Sequence, residues 1–366
     1  MHAAFAFFLL YGLLSASPAF SSAARNPADG AVGFEEGVAA YQRGDYINAL
    51  RIWQRSAEAG DARATYNIGV LFDQGQGVPV DSARAAVYFL HAAQAGHARA
   101  MSNYGRLLEQ GRGVEKNEAE AALWFHKAAE EGIAEAQYNL GLMYEGGRGV
   151  PRSERDAAAW YSRAAASGQS SALERLGLMY RDGRGVTRNA TRATLLLYGA
   201  AMDGRQAAVQ ALEGMVAEPV RLALFGRHLD GADRTAMRAA LAAAGVTAVR
   251  ENNHFSCDVY KPGTGVPGAS DLAVCYGPPP EQGAPSPLGF VKIDYPAPDA
   301  TRARQIYAMV EKRFGPPSAS EGPDNRLWNL GPVIVATKYA PELKQLALMY
   351  MVPKVYHLTR RGRAAQ

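Results

Sequence analysis

From Phe34 to Leu212 apolar side chains recur every three or four positions, the spacing that gathers them on one face of an α-helix, and glycine-rich breaks interrupt them at regular intervals. The breaks keep a strict period. Gly60, Gly96, Gly132, Gly168 and Gly204 stand 36 residues apart, and Gly69, Gly105, Gly141 and Gly177 share that spacing. One segment of the period reads YNIGVLFDQGQGV, SNYGRLLEQGRGV, YNLGLMYEGGRGV and LERLGLMYRDGRGV in successive copies. The next reads ARAAVYFLHAAQAG, AEAALWFHKAAEEG, RDAAAWYSRAAASG and TRATLLLYGAAMDG. A period of this length predicts stacked helix pairs, none of which can bury its apolar face alone.

Helix boundaries follow from side-chain chemistry. Asp45, Asp81, Asn117, Ser153 and Asn189 form one column just before the second helix, and all five residue types accept hydrogen bonds from the free N–H groups of a first helical turn. The preceding Gly-x-Gly-Val stretches, with Gly75/Gly77, Gly111/Gly113, Gly147/Gly149 and Gly183/Gly185, let the chain leave the first helix with positive φ. A phosphate-binding loop would need a strand before the glycines and Lys-Ser/Thr after them, and neither is present. Asn189-Ala190-Thr191 is formally a glycosylation sequon, but it falls on a helix start. Within the second helix, Ala49, Ala85, Ala121, Ala157 and Ala193 permit close approach, while Trp53, Phe89, Phe125, Tyr161 and Leu197 fill the space four residues on. Tyr88, Trp124 and Trp160 read as core at this spacing rather than as an aromatic binding box.

The pattern A-x-x-x-x-x-G-x-x-Y-x-x-G-x-G-V, followed by A-x-x-W-[FY]-x-x-A-A-x-x-G, resembles the Sel-one-like repeat family, a relative of the tetratricopeptide (TPR) repeats. The resemblance covers about half the chain: repeats at 33–60, 61–96, 97–132, 133–168 and 169–204, with a capping helix at 205–218. The first copy has a shorter Gly-Asp-Tyr turn and is nearer a plain TPR. The resemblance implies an α-solenoid, a right-handed superhelix whose concave side holds a protein or peptide partner. In TPR relatives the residue two before the first helix's glycine often points into that groove. Here the column is Asn67, Asn103, Asn139 and Arg175, and six residues before the same glycine stand Arg63 and Arg99. An Asn amide donates and accepts at once, which suits the backbone of an extended peptide. The alternative is that these Asn side chains bond the backbone of neighbouring helices. A cysteine-rich branch of the family is linked to β-lactam binding or hydrolysis, so an envelope hydrolase or cell-wall-binding enzyme is the competing function. The repeats of this chain contain no cysteine.

Beyond the repeats the period changes. Asp233–Ala244 reads as a helix, and short strands follow at Val246–Val249, Phe255–Tyr260, Leu272–Tyr276 and Phe290–Tyr295. A helix at 299–315 comes next, with Ala303, Ile306, Tyr307, Val310 and Phe314 on one face. Strands at Arg326–Trp328, Val333–Tyr339 and Leu346–Val352 and a basic helix complete the chain. Residues 229–362 are thus expected to form a small α+β domain with a mostly antiparallel sheet. The two cysteines, Cys257 and Cys275, both lie here in predicted strands, and in an exported protein they are expected to pair.

Composition narrows the partner class. The net charge of +4 is thinly spread, so no nucleic-acid-binding stripe stands out. The seven histidines are scattered without metal-ligand spacing, and no nucleophile motif appears, so neither cofactor nor metal is expected. Residues 1–24 hold an apolar run, Ala3–Leu14, followed by small residues around Pro18, as in a signal peptide; the run is shorter than the ~20 residues of a spanning helix. The expectation is a periplasmic or secreted, non-enzymatic scaffold without stable membrane insertion after cleavage, the alternative being an N-terminal anchor.

Overall fold

The computed structural model describes residues 27–251, 256–297, 299–322 and 324–361. The predicted signal peptide at 1–24 lies outside them, as does the start of the strand expected at Phe255. Two compact units divide the chain, 1–117 and 118–366.

The first unit is helical: α1 (Pro27–Gln42), α2 (Tyr46–Glu58), α3 (Ala62–Gln74), α4 (Ser82–Gln94) and α5 (Ala98–Gln110). The capping column works as its chemistry requires, with Asp45 and Asp81 accepting from the N–H groups of Asn48 and Arg84 at 3.3 and 2.9 Å. In the core, Phe89 of α4 is fully buried where it crosses α3, and a β-carbon on Gly69 would come within 2.7 Å of its ring. The large residue of the second helix therefore rests on the bare glycine of the first.

The second unit opens with α6 (Glu118–Glu130), α7 (Ala134–Gly146), α8 (Glu154–Ala166), α9 (Ser170–Asp182), α10 (Ala190–Met202) and α11 (Gln206–Gly214). A two-stranded hairpin follows, β1 (Ala223–Leu224) and β2 (Arg227–His228). Then come α12 (Arg234–Ala243), β3 (Thr247–Arg250), β4 (Cys257–Lys261), β5 (Asp271–Tyr276), β6 (Leu288–Pro296), α13 (Ala300–Phe314), β7 (Ala319–Glu321), β8 (Asn325–Asn329), β9 (Ile334–Ala340), β10 (Gln345–Met351) and α14 (Pro353–Arg361). The fold is an α-solenoid of helix pairs followed by an α+β domain.

Strands β3 to β10 form one antiparallel sheet of eight in the order β3-β4-β5-β6-β10-β9-β8-β7. A helix followed by a four-strand meander thus occurs twice, and the last strand of each meander, β6 and β10, pair at the centre. Alternation along the strands divides the side chains between two cores. One face, with Val291, Ile293, Val335 and Leu348, packs on Met237 and Leu241 of α12 and Ile306 and Val310 of α13; Leu222 and Leu224, ahead of α12, share this core. The other face, with Phe290, Leu327, Ile334 and Met351, packs on Leu197 and Ala201 of α10 and Val209 and Leu212 of α11. The Asn329 amide donates to the Leu212 carbonyl at 2.7 Å, and Lys354 of α14 pairs with Glu213 at 3.0 Å.

Cys257 and Cys275 stand directly opposite on β4 and β5 and are joined by a disulfide. Both belong to the core shared with α10 and α11. The bond therefore braces the face that carries the last repeat, and its loss would be felt there as well as in the sheet.

The turn glycines separate two costs. At Gly168 (φ +77) an added β-carbon meets nothing within 4 Å, whereas at Gly149 (φ +66) it would lie 2.1 Å from the Glu118 carbonyl oxygen. Gly168→Ala should cost about 1–2 kcal/mol of backbone strain alone. Gly149→Ala should add an overpacking cost of about 1–3 kcal/mol. Urea unfolding of the two variants measures the difference, and equal losses would refute the close-approach account.

Candidate functional site

In the first unit, α1, α2 and α3 enclose an apolar slot of about 350 Å³ lined by Val38, Tyr41, Gln42, Trp53, Tyr66, Asn67 and Val70. Local packing builds it. The Trp53 indole is 2% exposed and donates to the Phe34 carbonyl at 3.2 Å, and the Tyr41 hydroxyl donates to the Gln76 side chain at 2.8 Å. Both polar tips are thereby occupied, and the rings present apolar surface to the slot.

The Asn67 amide is half-buried at the edge of this slot, and Asn103 holds the equivalent place on α5. Among the described residues neither side chain makes a hydrogen bond, and the same is true of Asn139 on α7 in the second unit. The neighbouring-helix bonds considered as their alternative use are not formed. The amides keep donors and an acceptor to spare.

The cations divide differently. Arg63 is exposed but held: its guanidinium donates to both oxygens of Asp61, the cap of α3, at 3.2 and 2.8 Å, and lies 4.1 Å from the Phe34 ring centre. Arg99 is exposed, with no ion pair among the described residues. Arg175, in the second unit, faces the Glu145 carboxylate at 3.6 Å. Glu145 also accepts from the Tyr161 hydroxyl at 2.7 Å and from Arg184 at 3.1 Å. Burial acts to raise the Glu145 pKa, but the Tyr161 bond and the two arginines outweigh it and hold the carboxyl below its usual range. In the first unit Asp73 plays a similar part, pairing with Arg106 at 3.1 Å and with Arg112.

The aromatic column on the second helices is only partly core. Trp160 is buried, while Trp124 is half-buried; Arg163 and Lys127 each lie 4.4 Å from the respective ring centres. Sequence reasoning placed Trp53 in the core column and passed over Tyr41, Tyr66 and Val70. The departure of the first copy from the glycine-turn pattern was the available signal that its helices meet differently. Among the described residues no group of three or more His, Cys, Asp or Glu side chains could hold a metal ion, and no helix is long and apolar enough to cross a membrane.

The Sel1 repeat matches residues 31–61, 62–97, 98–133, 134–169 and 170–204. Among solved structures, c5321, a protective antigen of uropathogenic Escherichia coli with an SLR fold, is 33% identical over 51% of this chain at a TM-score of 0.48. A Sel1 repeat protein from Oxalobacter formigenes is 32% identical over 50% of this chain and 74% of its own, with a TM-score of 0.47. Cysteine-rich protein B of Helicobacter pylori is 23% identical over 38% of this chain and 99% of its own, with a TM-score of 0.29. The chain spans 41% of the length of the E. coli antigen. No curated protein matches the chain.

His97 ties the site's electrostatics to folding. Its Nδ1 accepts from the Ala100 N–H at 3.2 Å as the cap of α5, and its ring stacks on Tyr66 at 4.5 Å. Burial, aided by the positive charge of Arg99, pushes its pKa below the ordinary value. The native state thus favours the neutral ring, and the unfolded chain takes up the proton first. This contribution to stability is full above the ordinary histidine pKa of ~6.5 and is lost as pH falls toward the lowered native value. The melting temperature should therefore drop between about pH 7.5 and 5.5. His97→Asn, which keeps a capping acceptor, should flatten that part of the profile. An unchanged pH profile in the variant would refute the assignment.

Proposed function

Residues 31–204 belong to the Sel1 repeat family, whose members generally serve as protein-interaction scaffolds, and from that premise we propose that this chain is a non-enzymatic scaffold of the cell envelope that holds an extended peptide of a partner protein. One observation carries the reading: among the described residues the half-buried Asn67 and Asn103 amides make no hydrogen bond, and Asn67 edges an apolar slot of about 350 Å³. Peptide groups of an extended segment can donate to and accept from such amides, while an apolar side chain of the segment enters the slot. Arg99, exposed in the first turn of α5 and without an ion pair among the described residues, favours an acidic residue in the ligand. In the second unit, Asn139 offers the same amide chemistry, and Arg175 contributes charge already shared with Glu145.

Two features together support export. The apolar run Ala3–Leu14 has the character of a signal sequence, and the disulfide of Cys257 with Cys275 persists in an oxidising compartment.

Partner capture by crosslinking in the native envelope, followed by titration of the captured protein, tests the peptide site. At about 1 kcal/mol net per hydrogen bond, plus the groups left unpaired, Asn67→Ala with Asn103→Ala should weaken binding by roughly 2–3 kcal/mol. The melting temperature should hardly move, because neither amide supports the fold. Normal binding with much earlier melting would mean that the amides are structural. N-terminal sequencing of envelope protein should find a start between Phe20 and Arg25, and a membrane-bound chain that keeps Met1 would overturn the export reading.

A further inference from the structure

The α+β domain encloses a larger cavity, of about 490 Å³, in which the repeats take no part. It opens between the β1–β2 hairpin, the last turn of α13 and the centre of the sheet, and Leu224, Val266, Ile293, Val310 and Leu348 give it an apolar body. That volume lies within the range of pockets that bury most of a small organic ligand.

Two buried tyrosines line the apolar space, and the exposed Arg313 stands at its rim. Tyr295 of β6 and Tyr350 of β10 are 6% and 4% exposed, and neither hydroxyl has a hydrogen-bond partner among the described residues. Arg313, in the last turn of α13, donates to the Ala223 carbonyl at 3.3 Å, and no acidic side chain pairs with it among the described residues. Most of its N–H groups are unclaimed by the fold. Burial raises the pKa of both tyrosines, that of Tyr350 to about 12, so at neutral pH both hydroxyls carry a proton to donate.

The hairpin at the mouth is a fourth feature. Phe225 has φ +53 and precedes Gly226 at φ +75, a turn that favours Asn-Gly. A phenylalanine held in this region costs backbone strain, which the surrounding structure must outweigh. Its ring is spent on lining the cavity and packing against the core behind it.

We propose that this cavity binds an amphiphilic monocarboxylate, with its apolar body among Leu224, Val266, Ile293 and Leu348 and its carboxylate met by Arg313 and the hydroxyls of Tyr295 and Tyr350. The donor set selects the class. One guanidinium with two neutral donors balances a single negative charge, whereas a dianionic phosphate calls for more cations and a cationic head would face Arg313 directly. A neutral alcohol of the same length gains the apolar contacts but not the charge-assisted bonds.

Decanoate, decanol and decyltrimethylammonium, titrated below their micelle concentrations into the full chain by calorimetry, test the proposal. Decanoate should bind saturably at one site, about tenfold or more tighter than decanol, with the ammonium weakest. Arg313→Gln should abolish the preference for decanoate while leaving decanol binding in place, and Tyr295→Phe with Tyr350→Phe should reduce decanoate affinity severalfold. No saturable binding of decanoate, equal affinity for decanoate and decanol, or a preference that survives in Arg313→Gln would each overturn it. The comparison of the three probes on the unaltered chain stands even if a variant fails to fold.

Discussion

Each glycine loop passes over the start of an earlier helix at a point where no β-carbon fits. A side-chain carbon on Gly113 would lie 2.2 Å from the Ser82 carbonyl group at the head of α4, and one on Gly185 would lie 2.2 Å from the Glu154 carbonyl at the head of α8. The positive φ of these residues turns the chain back at the same place. Repeat geometry depends on this contact, because it sets how closely one helix pair can approach the pair before it. Once the loop is seated, the other pairings fall into reach. Asp73 meets Arg112 and Glu145 meets Arg184, an acid on one pair and an arginine from the next pair's loop in each case. Such partly exposed pairs contribute little stability by themselves, and they fix register more than they hold the stack together.

A stack built this way has an apolar end that a further repeat would have covered. After α11 the glycines stop and a sheet takes over that role. Leu197, Ala201 and Leu212 of the last helices share a core with Phe290, Leu327 and Met351 of the strands. The sheet is thus buried on both faces at its centre, with α12 and α13 across from the repeats. This explains why apolar residues stand in an unbroken run at the start of β9, from Ile334 to Ala336, where a half-exposed antiparallel strand would alternate. It also gives the disulfide its place. Joining neighbouring strands adds little pairing that the ladder lacks, but the two sulfurs belong to the surface on which the last repeat rests.

Much of this was legible in the sequence. The period, the caps and the alternating columns of alanine and large residues depend on contacts within a repeat or with its neighbour, and these recur often enough to be read by eye. The twin cysteines were legible too, because each sits in an alternating run. The order of the strands, the short hairpin at Ala223–His228 and the strand at Ala319–Glu321 were not. They depend on pairing across long sequence distances or are too short to show a period. At the candidate site, spacing picked out Arg63, Asn67, Arg99, Asn103, Asn139 and Arg175 as one set. It had no means of separating side chains already engaged by the fold, such as Arg63 with Asp61 and Arg175 with Glu145, from amides left with nothing to bond.

That separation bears most directly on function. Burying polar groups without partners costs free energy, so a fold retains such groups where solvent or a ligand can reach them. In the repeats the carboxylates of Asp61 and Glu145 hold Arg63 and Arg175, while the Asn67, Asn103 and Asn139 amides make no hydrogen bond among the described residues. Under the proposed reading these amides would select a ligand by backbone geometry more than by charge, as an extended peptide requires. The α+β domain differs: its cavity is apolar, and among the described residues the Arg313 guanidinium on its lining has no acidic partner and the Tyr295 and Tyr350 hydroxyls make no hydrogen bond. The two sets of groups differ in chemistry, so the two ligands proposed for this chain are of different kinds.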